Sequence, residues 1–275
     1  MDGRGTGRDL ARQGLTVVAA IAQVVAGPLG FFLGAEVGEI SDQNRTLATP
    51  AGYAFAIWGP IFLLIGAYAV YQALPGQREN RLLRRIGWPI VGACLGNALW
   101  EIIFPQRLFV PAQLTIVAIF ACLAVAFGGL AREARERSLT GAERWLVALP
   151  LGLLFGWLSA ATLVGLGATL RAIGLLPGGA SETFAAAALL LLCGGIATLV
   201  LLRWRAIPAA GLLAYVAAVV WALIAVVAQG GAASTPIAVV AVAMIAAVIV
   251  ALLGALFGGG AARGGGGATV GGVAA

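Results

Sequence analysis

Asn97, Trp100, Glu101 and Phe104 stand at i, i+3, i+4 and i+7, which puts an amide, an indole, a carboxylate and a phenyl ring on one face of a helix. Flat apolar molecules stack on such rings, and an amide or carboxylate orients their polar edge, so the chemistry this stripe offers is binding. Phe55, Trp58 and Phe62 repeat the i, i+3, i+7 spacing with Tyr53 near the entrance, and Trp157 has Ala161 one turn on with Ser159 and Thr162 nearby. The same spacing also fits packing wherever helices meet. The polar members favour a cavity, because an amide and a carboxylate are costly in lipid and normally face a bundle interior or a wet space. Glu101 has a second reading: it lies one turn from a span end, where it can snorkel or pair with Arg107.

Conventional catalysis and metal chemistry find little support. The chain has no His, which removes the commonest general base and transition-metal ligand and excludes a haem held by axial imidazole. Cys94, Cys122 and Cys193 form no close-spaced pair, so they read as packing residues rather than as a disulfide framework or thiolate site. No Ser/His constellation is present. An enzyme is the less favoured class, and no cofactor is required.

The elements that must position these residues follow from composition. With 61% apolar and 10% charged residues among 275, the chain is an integral membrane protein. A helix needs about 20 residues to cross the hydrocarbon core, and eight runs qualify: Leu15 to Gly34, Gly52 to Leu74, Trp88 to Phe104, Pro111 to Ala131, Trp145 to Leu170, Thr183 to Leu202, Pro208 to Gln229 and Ile237 to Phe257. None shows the alternation of barrel strands, and backbone in lipid must pair within its own segment, so the expected fold is an all-α bundle of about eight transmembrane helices.

All 17 basic residues are Arg and the net charge is +6, which in this chain reflects topology rather than nucleic-acid binding. Fourteen of them fall before the first span, after the even-numbered spans or in the tail, whereas Arg45, Arg107 and Arg171 lie on the other side with Glu36, Glu39, Asp42 and Glu182. The positive-inside rule therefore places both termini in the cytoplasm. The first span is longer than the h-region of a secretory signal, and Asp2 and Asp9 dilute its basic leader, so it is read as an uncleaved helix. Trp88, Trp145 and Trp204 sit beside Arg clusters at span ends and read as belt residues, whereas Trp58, Trp100, Trp157 and Trp221 lie inside spans, where an indole N–H needs a partner.

Residues 1–14 read as a cytoplasmic arm, residues 258–275 as a Gly-rich disordered tail, and a compositional change near residue 171 separates five punctuated spans from three nearly featureless ones. The loop from Glu36 to Thr49 is either a lid or a plain connection. Gly92 with Gly96 and Gly152 with Gly156 allow close helix approach within the bundle or across a dimer. Pro60, Pro89 and Pro150 are positions for kinks.

Asn97-Ala98-Leu99-Trp100 with Phe104, Trp157 with Ala161 and Thr162, Pro150 before them, and Thr49-Pro50-Ala51-Gly52-Tyr53-Ala54-Phe55 followed by Trp58 together resemble the tryptophan-rich sensory protein or translocator protein (TspO/MBR) family. The resemblance covers Leu15 to Leu170, the length of that family's five-helix bundle, so residues 15–170 read as a TspO-like core and 171–257 as three additional helices. Three departures stand out: Phe55 to Trp58 is one residue short, Gly165 stands where the family commonly has Asn, and Glu101 replaces a usual Ser. The resemblance implies a homodimeric protein of the bacterial inner membrane that binds tetrapyrroles such as protoporphyrin IX, or sterol-like ligands, beneath the first loop. Tyr53, Phe55, Trp58, Asn97, Trp100, Phe104, Trp157 and Ala161 match the lining positions, and Phe62 and Glu101 join them by spacing.

Four functions compete. A receptor or sensor for flat hydrophobic ligands follows from the aromatic faces, and a secondary transporter of small hydrophobic or amphipathic molecules from the eight spans and Glu101. Light-dependent porphyrin breakdown enters through the resemblance. A purely structural scaffold fits the last three spans but not Asn97 or Glu101.

Overall fold

The computed structural model describes residues 3–34, 36–176, 178–230 and 234–257, which form a helical bundle. In order these are α1 (Gly3–Leu33), α2 (Val37–Gln43), α3 (Trp58–Ala73, preceded by a 3₁₀ turn over Gly52–Ile57), α4 (Arg81–Ile103), α5 (Phe109–Glu136), α6 (Gly141–Glu143, followed by a π-helical turn over Arg144–Ala148), α7 (Leu149–Ala172), α8 (Ala180–Arg203), α9 (Ala209–Gly230) and α10 (Thr235–Phe257). Eight of these segments are long and apolar enough to cross a membrane, one for each predicted span. The Gly-rich tail lies outside the described residues.

Two boundaries differ from the sequence reading. The arm described as residues 1–14 is, from Gly3 on, the first turns of α1, with Asp9 and Arg12 already buried. The third crossing begins at Arg81 rather than Trp88, because Asn80 caps it: its side-chain oxygen accepts from the Leu82 and Leu83 N–H groups at 2.9 and 3.3 Å. Arg84 and Arg85 break the apolar run without breaking the helix. An N-cap satisfies backbone donors whatever the hydropathy of the turn that follows.

One hydrophobic cluster runs from Ala19 to Leu252. The compositional change near residue 171 therefore falls inside a continuous core. α7 sits in its middle, packed on α3, α5, α8 and α9. Both glycine pairs serve the bundle itself. A Cβ at Gly152 or Gly156 would run into the backbone carbonyls of Gly211 and Tyr215 on α9, while Gly92 and Gly96 face Cys122 and Ile119 on α5. Without Cβ atoms the backbones approach and gain dispersion contact along the seam.

Asp9 beside Arg84, Gln23 beside Asn97 and Gly34 beside Pro105 show that α1 and α4 run side by side in the same direction. This register gathers the Arg clusters at one end of the bundle. It brings α2, the lead-in to α3 and the end of α4 together at the other.

Candidate ligand site

The lid end holds a cavity walled by α3, α4, α5 and α7. Phe55 and Trp58 come from the lead-in and first turn of α3, Asn97, Trp100 and Phe104 from the end of α4, and Trp157 and Ala161 from α7. Seven of the ten sequence-predicted site residues thus meet in one place. Phe55 and Trp58 both stand edge-on to Trp157, with ring centroids 6.0 and 6.3 Å apart. Trp100 and Phe104 stack at 4.7 Å, one turn apart on the same helix face. These edge-to-face and offset arrangements are the ones an aromatic quadrupole favours.

The other three lie outside the cavity wall. Tyr53 is 46% exposed, with its ring edge-on to Trp221 at 5.4 Å. Phe62 stacks behind Trp58 at 5.3 Å and supports it from outside. Glu101 turns toward α1 and is only 6% exposed. It does not snorkel, and no ion pair joins it to Arg107 among the described residues.

Sequence reasoning passed over several members. Gln113 on α5 lines the cavity, and its amide donates to the Thr162 carbonyl at 3.0 Å. A Cβ at Gly165 would stand 2.9 Å from Gln113 Oε1, so the glycine at the position of a common family Asn leaves room for an amide delivered from the neighbouring helix. Val37 and Ser41 of α2 close the top, while Ile40 is fully buried on Phe104 and Ala112. The loop from Glu36 to Thr49 is therefore a cover. Farther along it, the Leu47 N–H donates to Glu182 at 3.2 Å, and Glu182 pairs with Arg171 at 2.6 Å.

α9 also reaches the site. Ala222 lines the cavity, the Trp221 indole N–H donates to the Ala54 carbonyl at 2.9 Å, and the Ala51 N–H donates to the Ala225 carbonyl at 2.9 Å. The lead-in that carries Phe55 is thus held by a helix from the compositionally plain part of the chain. Trp204, read as a belt residue, is half-buried at the Arg-rich end and also packs on Phe127 and Phe155, at 5.6 and 6.1 Å.

The cavity is narrow, about 60 Å³. Pockets for drug-sized ligands run to roughly 300–1,000 Å³, so a tetrapyrrole enters only if rings rotate or α2 lifts. The chemistry on offer is ring stacking with two amides, Asn97 and Gln113, and the hydroxyls of Ser41 and Thr169.

An eight-helix membrane bundle with an aromatic cavity under a short helical cover defines the class. The chain matches the family model of TSPO-like proteins over residues 11–256, and it belongs to that family. The match takes in α8, α9 and most of α10, beyond the five helices over which the resemblance was read. No curated protein and no solved structure matches the chain.

Proposed function

We propose that this protein is a membrane receptor or sensor that binds tetrapyrroles or other flat hydrophobic molecules between α3, α4 and α7. The observation that carries the reading is the convergence of Phe55, Trp58, Trp100, Phe104 and Trp157 with the Asn97 amide on one covered cavity. Stacking on these rings supplies affinity, and the amides orient a polar edge. The Arg-rich end faces the cytoplasm on the positive-inside rule, which opens the covered end outward from the bacterial inner membrane. A homodimer accords with the family.

Titration of the purified protein with protoporphyrin IX, followed by tryptophan fluorescence, tests the reading. Saturable quenching is expected, with affinity weakened by Trp58→Phe, Trp100→Phe and Trp157→Phe and unchanged by Trp145→Phe, whose indole is 61% exposed at the other end. Equal behaviour of all four variants would assign the rings to packing. Transport is the second reading, favoured by the buried Glu101 carboxyl. Ligand flux across sealed proteoliposomes would establish it, and binding without flux would exclude it.

A further inference from the structure

Glu101 is the buried polar residue that the cavity leaves unused. Its Oε2 has no hydrogen-bond partner and lies against Gly27 of α1, where a Cβ would stand 3.5 Å away. α1 is pressed close at this level, since a Cβ at Gly30 would collide with the Glu101 carbonyl. Lipid and bulk water are thereby kept from the carboxyl. Pro28 has no N–H, so the Val24 carbonyl one turn before it lacks its intrahelical donor.

Among the described residues no charged side chain pairs with this carboxyl, and Glu39 and Asp42 of α2 are exposed. α1 carries none between Arg12 and Leu33, and Glu36 beyond it is exposed. α4 carries none between Arg85 and Glu101, with Cys94 its titratable side chain in between. α5 has only Cys122 as a titratable group before Arg132, and α3 only Tyr68 and Tyr71. Arg107, in the turn after α4, is exposed.

One turn below, the Asn97 amide donates to Gln23 Oε1 at 3.3 Å. Both residues are buried, at 2% and 0% exposure, and Gln23 Nε2 has no partner. Gln23 and Gly27 are spaced i, i+4 on α1, as Asn97 and Glu101 are on α4, so the amide pair lies directly beneath the carboxyl. Asn97 also lines the aromatic cavity.

We propose that Glu101 binds a monovalent cation, a proton or Na⁺, and that Gln23 and Asn97 link its occupancy to the cavity. A buried carboxylate with no cation beside it is costly in a membrane protein and marks an ion or proton path. Against its oxygen acceptors the site offers only uncharged donors, the Gly27 N–H and the spare Gln23 N–H, so a positive charge completes it. As a proton the ligand forms an O–H bond on the carboxyl. On its release toward the lid end, the carboxylate draws the free Gln23 N–H to itself and loosens Gln23 from Asn97. The cation site stands apart from the pocket reading; only the link rests on it, through Asn97.

The test needs no pocket ligand. Infrared difference spectra of the protein in liposomes would be recorded while pH is stepped at constant ionic strength, and then while Na⁺ replaces choline at constant pH. The parent should show a responsive carboxyl band that Glu101→Gln abolishes and Glu101→Asp displaces. A protonated C=O band that titrates with pH assigns the proton, and a carboxylate band that shifts saturably with Na⁺ assigns the metal ion. A Glu101 carboxylate band indifferent to both would overturn the site. For the link, tryptophan emission should change with the same midpoint in the parent, and Gln23→Leu should keep the infrared response while losing the emission change. An emission response unaltered in Glu101→Gln would overturn the link. Failure to bind protoporphyrin IX would affect neither readout, so loss of the pocket reading stays distinguishable.

Discussion

The two ends of the bundle treat buried polarity in opposite ways. At the Arg-rich end each buried acid has basic partners. Glu133 accepts from Arg137 at 2.8 Å and pairs with Arg85 and Arg81 at 3.2 and 3.6 Å. Glu143 closes a capping box with Thr140 and receives Arg137 at 2.7 and 2.8 Å and the Asn80 amide at 3.1 Å. Asp9 takes a forked pair from Arg84, and Arg12 donates to Gln72 and to the Arg78 carbonyl. At the lid end, Glu101 Oε2 and Gln23 Nε2 have no side-chain partner, and the cavity walls are mostly aromatic and aliphatic. The buried acids of the Arg-rich end are thus held in ion networks, whereas at the lid end the Arg171–Glu182 pair lies toward the surface and the buried Glu101 has no cation. Multiply ion-paired acids fix helix register at the Arg-rich end, while an end whose buried acid lacks a cation can rearrange at less cost when a ligand must enter.

The largest test of that contrast is Glu133→Ala. Three arginines lose a fully buried partner, which should cost about 3 kcal/mol of stability, read as a lowered unfolding temperature in detergent with little change in protoporphyrin affinity. Next comes Trp100→Leu, which removes the ring stacked on Phe104 and should weaken protoporphyrin binding about tenfold while the unfolding temperature stays near the parent's. Glu101→Gln sharpens the comparison, because it removes an acid that has no cation beside it. Stability should move by less than about 1 kcal/mol, or rise, in contrast to Glu133→Ala. The smallest effect belongs to Arg45→Ala at the lid end, whose pair with Asp42 is solvent-exposed; a change under about 0.5 kcal/mol is expected by the same unfolding assay.

Much of this arrangement was legible in the chain, and the misses share a physical cause. Apolar length alone located all eight crossings, because lipid imposes it. The start of α4 at Arg81 was hidden, since an N-cap and ion-paired arginines extend a helix that hydropathy ends. Periodicity names a helix face but not the neighbour it meets. With about 100° between successive residues, Trp100 and Glu101 occupy opposite margins of one stripe, and the first reaches the cavity while the second meets α1. Gln113, Ser41 and the hold of Trp221 on Ala54 arise from contacts between residues far apart in sequence, which spacing along one helix cannot reveal. Gly165 stands where the family commonly has Asn, and only the packing of α5 against α7 shows Gln113 occupying that space.

The most direct test of the division between the ends is hydrogen–deuterium exchange of the protein in nanodiscs with and without protoporphyrin IX. Slowed exchange is expected over residues 37–43 of the cover and 50–58 of the lead-in to α3, with residues 137–144 at the Arg-rich end unchanged. Protection confined to the Arg-rich end, or none anywhere at saturating ligand, would contradict that division.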